Sequence, residues 1–213
     1  MIINFQGIKI QTSELVYTPR EDTFFLEDKL MEYFTKPDNK NLILRIAEMG
    51  CGSGYLTICL MKLFSQSSFV VIDKNRHALD LTKTNIEINK LPASQVTFVE
   101  SDLFTNVPTT CFDLLVFNPP YLPVENLNFS SLEEELIKDS WEGGTDLINN
   151  FLQTSKEYLA SNGLIFLIVS NFQVIHNDVN GFIKSQHPDL EIVDYFKQKH
   201  GLETLFLLII KKC

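Results

Sequence analysis

The sequence predicts an α/β fold: a doubly wound, seven-stranded, mostly parallel sheet that closes with an antiparallel strand. Three observations predict it. Short apolar runs alternate with helical patterns along the chain. The first of these runs leads directly into a glycine-rich turn and then a helix. The last two runs are separated by too few residues for a parallel crossover, so they must pair as a hairpin. A length of 213 residues suits one domain spanning 1–213, with a full core and no linker.

The elements follow in order. LILRIAE (42–48) reads as a buried strand and 53–64 as a helix. SFVVID (68–73) is the second strand, followed by a helix over 76–89. QVTFVE (95–100) and CFDLLVFN (111–118) are the third and fourth. A helix over 147–160 precedes the fifth, GLIFLIVS (163–170), and another over 177–186 precedes LEIVDYF (190–196) and ETLFLLIIK (203–211). The stretch 122–140 has no strand character, and its place after the fourth strand suits a substrate-facing loop.

Composition narrows the partners. The net charge is −9, and there is no Lys/Arg-rich stripe. That lowers the expectation of a nucleic-acid partner, which demands positive surface. No apolar run reaches the roughly 20 residues of a membrane helix, and MIINFQGIKI lacks the pattern of a secretory signal. Cys51, Cys59, Cys111 and Cys213 are scattered without metal-type spacing, as free thiols of a reducing compartment are: the cytoplasm and, with it, the nucleus. No metal site is expected. His77, His176, His187 and His200 share no spacing for a metal or a triad, which leaves solvated or helix-surface roles.

EMGCGSG (48–54) turns from the first strand into the first helix. Gly50, Gly52 and Gly54 permit a tight turn and close approach of a ligand to the backbone. The same pattern serves several nucleotides, so neighbouring carboxylates must discriminate. An anion at Glu48 suits a sulfonium and an ammonium group and repels a pyrophosphate. Asp73, about 20 residues on, stands where a carboxylate takes both hydroxyls of a ribose; it equally suits the cap of the next helix. Asp102 and Leu103 can bond the amine of adenine and pack on its ring, or can be a plain turn.

Asn118-Pro119-Pro120-Tyr121 ends the fourth strand, near the switch point where open α/β sheets bind ligands. Two prolines fix φ and donate nothing, so the Asn118 side chain and the Pro119 carbonyl form a rigid corner of acceptors. A planar –NH2 group offers one hydrogen to each. An amide or aryl amine is a weak nucleophile because its lone pair is delocalised. Acceptors fixed on both N–H bonds favour the partly positive nitrogen of the transition state. In-line positioning supplies the rest. Tyr121 can stack on the flat acceptor.

These residues resemble the HemK-type branch of the class I, S-adenosylmethionine-dependent methyltransferases, which have a Rossmann-like fold and methylate the glutamine of the GGQ loop in class I translation release factors. The resemblance rests on EMGCGSG, VID, SDLF and VFNPPY. It extends to VYTPREDTFFL (16–26), similar to the amino-terminal motif of the eukaryotic and archaeal members, in which Tyr and Thr line the cofactor pocket. That implies cofactor roles for Tyr17 and Thr23 beside Glu48, Gly50, Gly52, Asp73, Asp102, Leu103 and Asn118, and catalytic roles for Asn118, Pro119 and Tyr121. SWEGGTDL (140–147) and GLETLFLLII (201–210) also match. The chain starts close to the catalytic core, as the short members do. The resemblance therefore implies a heterodimer with a small zinc-binding activator subunit. Such a partner would add to the edge of the sheet at 96–100, marked by Val96 and Phe98. Adenine N6 presents the same flat –NH2 and stays open as an acceptor, as does lysine, whose tetrahedral amine suits the corner less well. A module that binds without catalysing is the remaining alternative, disfavoured by the joint presence of Glu48, Asp73 and Asn118.

Overall fold

The computed structural model describes residues 1–35, 42–120, 144–173 and 178–213. By contact the chain divides into two compact units, Met1–Pro108 and Thr109–Cys213.

The first unit opens with a hairpin of β1 (Ile2–Phe5) and β2 (Ile8–Gln11). Gln6 and Gly7 turn it, at φ +49° and +87°. A two-residue turn with both φ values positive matches the natural twist of the strands it joins. Helix α1 (Glu21–Phe34) follows and buries Leu26, Leu30 and Phe34 at a spacing of four. Neither the hairpin nor α1 is among the elements the sequence predicts. The runs IINF and IKIQ are too short to carry a period-2 signal, although the Gln-Gly between them is a turn signature.

β3 (Arg45–Met49), α2 (Tyr55–Leu63), β4 (Ser68–Asp73), α3 (Arg76–Ile88) and β5 (Val96–Glu100) then form a parallel β/α layer. Residues 42–44, expected in the first strand, precede it. Tyr55 to Met61 of α2 are all buried, so this helix is covered on every side.

The second unit holds β6 (Phe112–Phe117), α4 (Thr145–Tyr158), β7 (Leu159–Ser170), α5 (Val179–Gln186), β8 (Leu190–His200) and β9 (Glu203–Lys212). The strand order of the sheet is β5-β4-β3-β6-β7-β9-β8. β9 runs antiparallel to both β7 and β8, which is the expected final antiparallel strand and hairpin. Leu205–Ile210 are at most 3% exposed. A strand buried on both faces reads as a continuous apolar run, as this one does.

Several boundaries differ from expectation. The helix expected over 147–160 ends at Tyr158, and β7 begins at Leu159 rather than at 163. The register with β6 jumps from Phe112↔Leu159 to Leu114↔Leu164, so 160–163 form an irregular step. A Cβ on Gly163 would lie 2.7 Å from the Phe112 carbonyl oxygen, so only glycine lets the strands close there. β8 runs four residues further than its apolar core, to His200, and leaves only Gly201-Leu202 as the loop. Gly201, at φ +60°, makes the two-residue turn possible.

Among the described residues no helix is long and apolar enough to cross a membrane.

Candidate cofactor and acceptor residues

The glycine turn after β3 is built as the sequence predicts. Gly50, Gly52 and Gly54 all take left-handed φ values, +67°, +52° and +79°. The Gly50 N–H donates to the Ile72 carbonyl at 2.8 Å, and Gly54 N–H closes on Cys51 O at 2.8 Å. Gly54 is also the N-cap of α2, which starts at Tyr55 rather than at residue 53. A Cβ on Gly54 would meet Thr82 Cγ2 at 2.6 Å. The missing side chain therefore lets α3 press against the turn, where the Thr82 hydroxyl donates to Gly52 O at 3.2 Å.

Two carboxyl groups flank this turn on neighbouring strands. Glu48, one residue before the end of β3, is 4% exposed and accepts a hydrogen bond from the Thr57 hydroxyl of α2. Its pKa is pushed up to about 8, chiefly by burial, with the Asp73 charge adding to the rise and the Thr57 bonds opposing it. Burial thus favours the protonated carboxyl, whereas the sequence reading takes Glu48 as an anion.

Asp73, the last residue of β4, accepts from the Asn75 N–H at 2.8 Å and the Gly52 N–H at 3.1 Å. Burial raises its pKa, and these backbone bonds oppose the shift. Asp73 is not the cap of α3. Asn75 holds that position and accepts from the His77 N–H at 2.9 Å. The Asp73 carboxylate instead ties the glycine turn to the start of α3.

Tyr17 and Thr23 meet at a residue the sequence reading passed over. Asp22, 4% exposed, accepts from the Tyr17 hydroxyl at 3.1 Å and the Thr23 hydroxyl at 3.4 Å. Burial and the Asp22 carboxylate push the Tyr17 pKa far up, so the phenol stays neutral. This segment reaches the glycine turn, since a Cβ on Gly52 would stand 3.7 Å from the Tyr17 carbonyl oxygen. The Leu15 carbonyl accepts from the Asn75 amide at 2.9 Å.

Asn85 was also missed. It is fully buried on α3. Its Oδ1 accepts from Gln11 N–H at 2.7 Å, and its amide donates to Gln11 O at 3.0 Å and Ser53 O at 2.9 Å. Asn89, one helical turn on, holds Lys9 N–H and O at 3.1 and 2.7 Å in the same way. The spacing of four between these asparagines was the available signal. Together they bind β2 to α3 and to the glycine turn.

Asp102 is exposed and Leu103 half-buried just beyond β5. Leu103 adopts φ +47°, a conformation that a branched side chain takes only where its surroundings enforce it. The Asp102 carbonyl accepts from Thr105 at 2.8 and 3.1 Å. These contacts are those of a tight turn, and the Asp102 carboxylate stands in solvent.

In the second unit, Asn118 follows β6, whose last residue is Phe117, and is half-buried; Pro119 is buried. The parallel register Phe117↔Leu167 sets Asn118 at the carboxyl end of β6 beside the inner stretch of β7. Tyr121, Trp141 and the loop at 122–140 lie outside the described residues.

Among the described residues no group of His, Cys, Asp or Glu is arranged for a metal ion. Cys51 and Cys59 are buried, Cys111 and Cys213 exposed, and all four are free thiols. Burial pushes the Cys51 thiol well up, so it is a packing element of the turn. His187 corrects the expectation of surface histidines. It is 3% exposed, bonded to Asn149 Oδ1 at 3.1 Å, and burial lowers its pKa. His77 is exposed.

Comparison with known proteins agrees with this geometry. Residues 28–188 match the methyltransferase small domain. The chain is 32% identical over 171 residues, 80% of each chain, to a Methanocaldococcus jannaschii protein provisionally named a protein N5-glutamine methyltransferase. It is 29% identical to the eRF1 methyltransferase catalytic subunit of Schizosaccharomyces pombe, over 95% of this chain and 92% of that one. It is 29% identical to a human release factor glutamine methyltransferase, over 78% of this chain and 53% of the relative. Among solved structures, a ribosomal protein L11 methylase from Lactobacillus delbrueckii superposes with a TM-score of 0.64 at 16% identity, over 93% of this chain and 82% of that one. M. jannaschii TYW2, solved with AdoMet, has a TM-score of 0.62 at 15% identity, over 100% of this chain and 86% of that one. These last two show the class I, Rossmann-like fold. With the family match spanning most of its length, the chain belongs to the small-domain methyltransferases, alongside the protein glutamine methyltransferases.

Proposed function

We propose that the chain acts as one catalytic domain, an S-adenosylmethionine-dependent methyltransferase that modifies the glutamine amide in the GGQ loop of a class I translation release factor. The observation that carries this reading is that the relatives sharing most of its length are named for that chemistry, while the glycine turn and NPP both follow strands as the chemistry requires.

The first unit fits the cofactor. Glu48 offers a buried carboxyl to the cationic end. Asp73 accepts from the Gly52 and Asn75 N–H groups and, at 3.7 Å, from the Cys51 thiol; a ribose hydroxyl would take its remaining acceptor capacity or displace the weak thiol bond. The Tyr17 carbonyl borders the turn at Gly52, and Asp22 ties the Tyr17 and Thr23 hydroxyls together. Asp102 and Leu103 would hold the adenine. The cofactor supplies an electrophilic methyl group on sulfur. Asn118 and the Pro119 carbonyl accept the two amide hydrogens and orient the nitrogen lone pair. No base is needed before transfer, because the methylated nitrogen becomes acidic and sheds a proton.

A small zinc-binding activator subunit is part of this proposal, since the S. pombe relative is named a catalytic subunit. The two sheet edges differ in a way that supports β5 as its seat. β8 is guarded by Lys197, Lys199, Glu191 and Asp194 and by a register shift between Ile192 and Asp194. β5 is short, has no bulge and no lysine, and only Thr97 and Glu100 are exposed along it. Val96 and Phe98 pack against the cluster containing Val71, Leu79 and Leu81, so β5 offers a partner its backbone more than apolar side chains. The free thiols fit residence in the cytoplasm.

The deciding assay incubates the chain, with and without such a subunit, with methyl-labelled cofactor, and offers release factor and adenine-containing duplex in parallel. Label on the glutamine supports the reading; label on DNA alone overturns it.

A further inference from the structure

Helix α3 turns one stripe of polar side chains toward backbone. Asn75 caps it, and Thr82, Asn85 and Asn89 follow at spacings of seven, three and four, which place them on one face. Thr82 and Asn85 are fully buried. The stripe meets two segments. In the amino-terminal segment, Asn89 takes Lys9 N–H and O, Asn85 takes Gln11 N–H and O, and Asn75 donates to Leu15 O. Lys9 and Gln11 are alternate residues of β2, so the two amides pair with one edge of that strand as a further strand would. In the glycine turn, Thr82 donates to Gly52 O at 3.2 Å and Asn85 to Ser53 O at 2.9 Å.

Asn85 is where these two segments meet. Its amide bonds Gln11 O and Ser53 O together, whereas the Asn89 amide bonds Lys9 O and, one turn back within α3, Asn85 O. Gly52 O and Ser53 O are consecutive carbonyls, so the two bonds from α3 set the two peptide planes between Gly52 and Gly54. Gly52 and Gly54, at φ +52° and +79°, have no side chains to hold those planes. The restraint comes from α3. A backbone turn fixed in advance loses less freedom when a ligand closes on it, which strengthens binding.

From this geometry we infer that Asn85 is a positioning residue for the cofactor, which rests on the cofactor reading above. It acts through the Ser53 carbonyl, holding the glycine turn in its binding shape, and it couples that shape to the docked amino-terminal hairpin. Cofactor affinity and hairpin docking are then linked, each strengthening the other by the same factor. A side chain that only sealed the edge of β2 would be equivalent to Asn89, and Asn89 therefore supplies the control.

The test uses the full chain with the zinc-binding subunit present, and S-adenosylmethionine as the probe. N85A is expected to raise both Kd and KM for S-adenosylmethionine on the order of tenfold, the effect of losing a buried bond. Its kcat at saturating cofactor should stay within about twofold, since no contact to the reacting atoms is lost. N89A, which frees β2 without touching the turn, should lower the Tm and leave Kd within about twofold. In wild type, saturating S-adenosylmethionine should slow amide hydrogen exchange at Gln11 on the order of tenfold more than at Lys9, whose N–H bonds to Asn89. That comparison stands even if N85A does not fold. Unchanged binding by N85A, equal weakening by N89A, or equal slowing at Gln11 and Lys9 overturns the inference. Wild-type chain that binds no S-adenosylmethionine overturns the cofactor reading and the inference together; wild type that binds it while N85A and N89A behave alike overturns the inference alone.

Discussion

The Thr57 hydroxyl donates a hydrogen bond to the buried Glu48 carboxyl, joining the first turn of α2 to the end of β3. Because burial raises the pKa of this carboxyl to about 8, a cationic ligand beside it favours loss of the proton. Cofactor binding is therefore expected to tighten as pH rises from 6 to 8.5 and to release up to one proton. Calorimetry in buffers of different ionisation enthalpy measures that directly. E48Q should abolish the pH dependence. Thr57→Val should weaken binding at pH 7 about tenfold, the worth of one bond to a charged group. Binding that is flat across this pH range would remove Glu48 from the role.

The same raised pKa has an opposite effect on the stability of the fold. The folded state holds the Glu48 proton more tightly than the unfolded chain, where the carboxyl has its ordinary value of 4.5. Its contribution is fully present below pH 4.5 and is lost as pH rises through about 8. Urea unfolding of wild type and E48Q across this interval should show wild type losing ground to the variant as pH rises.

Gly54→Ala places a Cβ 2.6 Å from Thr82 Cγ2 at a φ of +79°. Both effects destabilise, together by about 2–4 kcal/mol. Adding Thr82→Ala should recover the steric part, leaving the backbone strain and the lost bond to Gly52 O. Strict additivity of the two substitutions in denaturant unfolding would refute the contact.

Asn118→Ala is expected to abolish methyl transfer while cofactor affinity stays within a factor of about three, the outcome that the proposed role of its carboxamide on the acceptor hydrogens requires. Single-turnover transfer and equilibrium binding separate the two. Equal loss of both would assign Asn118 to the cofactor instead.

His187 is a base with a lowered pKa, so protonation favours the unfolded chain. Its contribution to stability is complete above pH 6.5 and falls as pH drops below it. Replacement by Gln should flatten unfolding free energy between pH 7 and 5. A His187 resonance that titrates at or above 6.5 would contradict this.

Much of the fold was legible along the chain. Strands β4, β6 and β9 announce themselves as apolar runs, and Gly50, Gly52 and Gly54 announce the turn, because these signals are local. The opening hairpin and α1 were not legible. Their four-residue strands carry too little period, and the Asn85–Gln11 and Asn89–Lys9 bonds that hold the hairpin span 74 and 80 residues. The acidic residue between Tyr17 and Thr23 gave no sign of its role until folding turned both hydroxyls toward it.

The sequence by itself determined which residue types stand where: carboxylates and glycines around one strand-to-helix turn, and an amide between a strand end and two prolines. Those assignments follow from residue type and spacing, which are properties of the backbone read in order. Only the tertiary structure decided that burial favours a protonated Glu48, that Asp73 braces the turn instead of capping α3, and that His187 is buried. The reason is physical: a proton's free energy depends on how much water has been removed and which dipoles replace it, and both are set by residues distant in sequence.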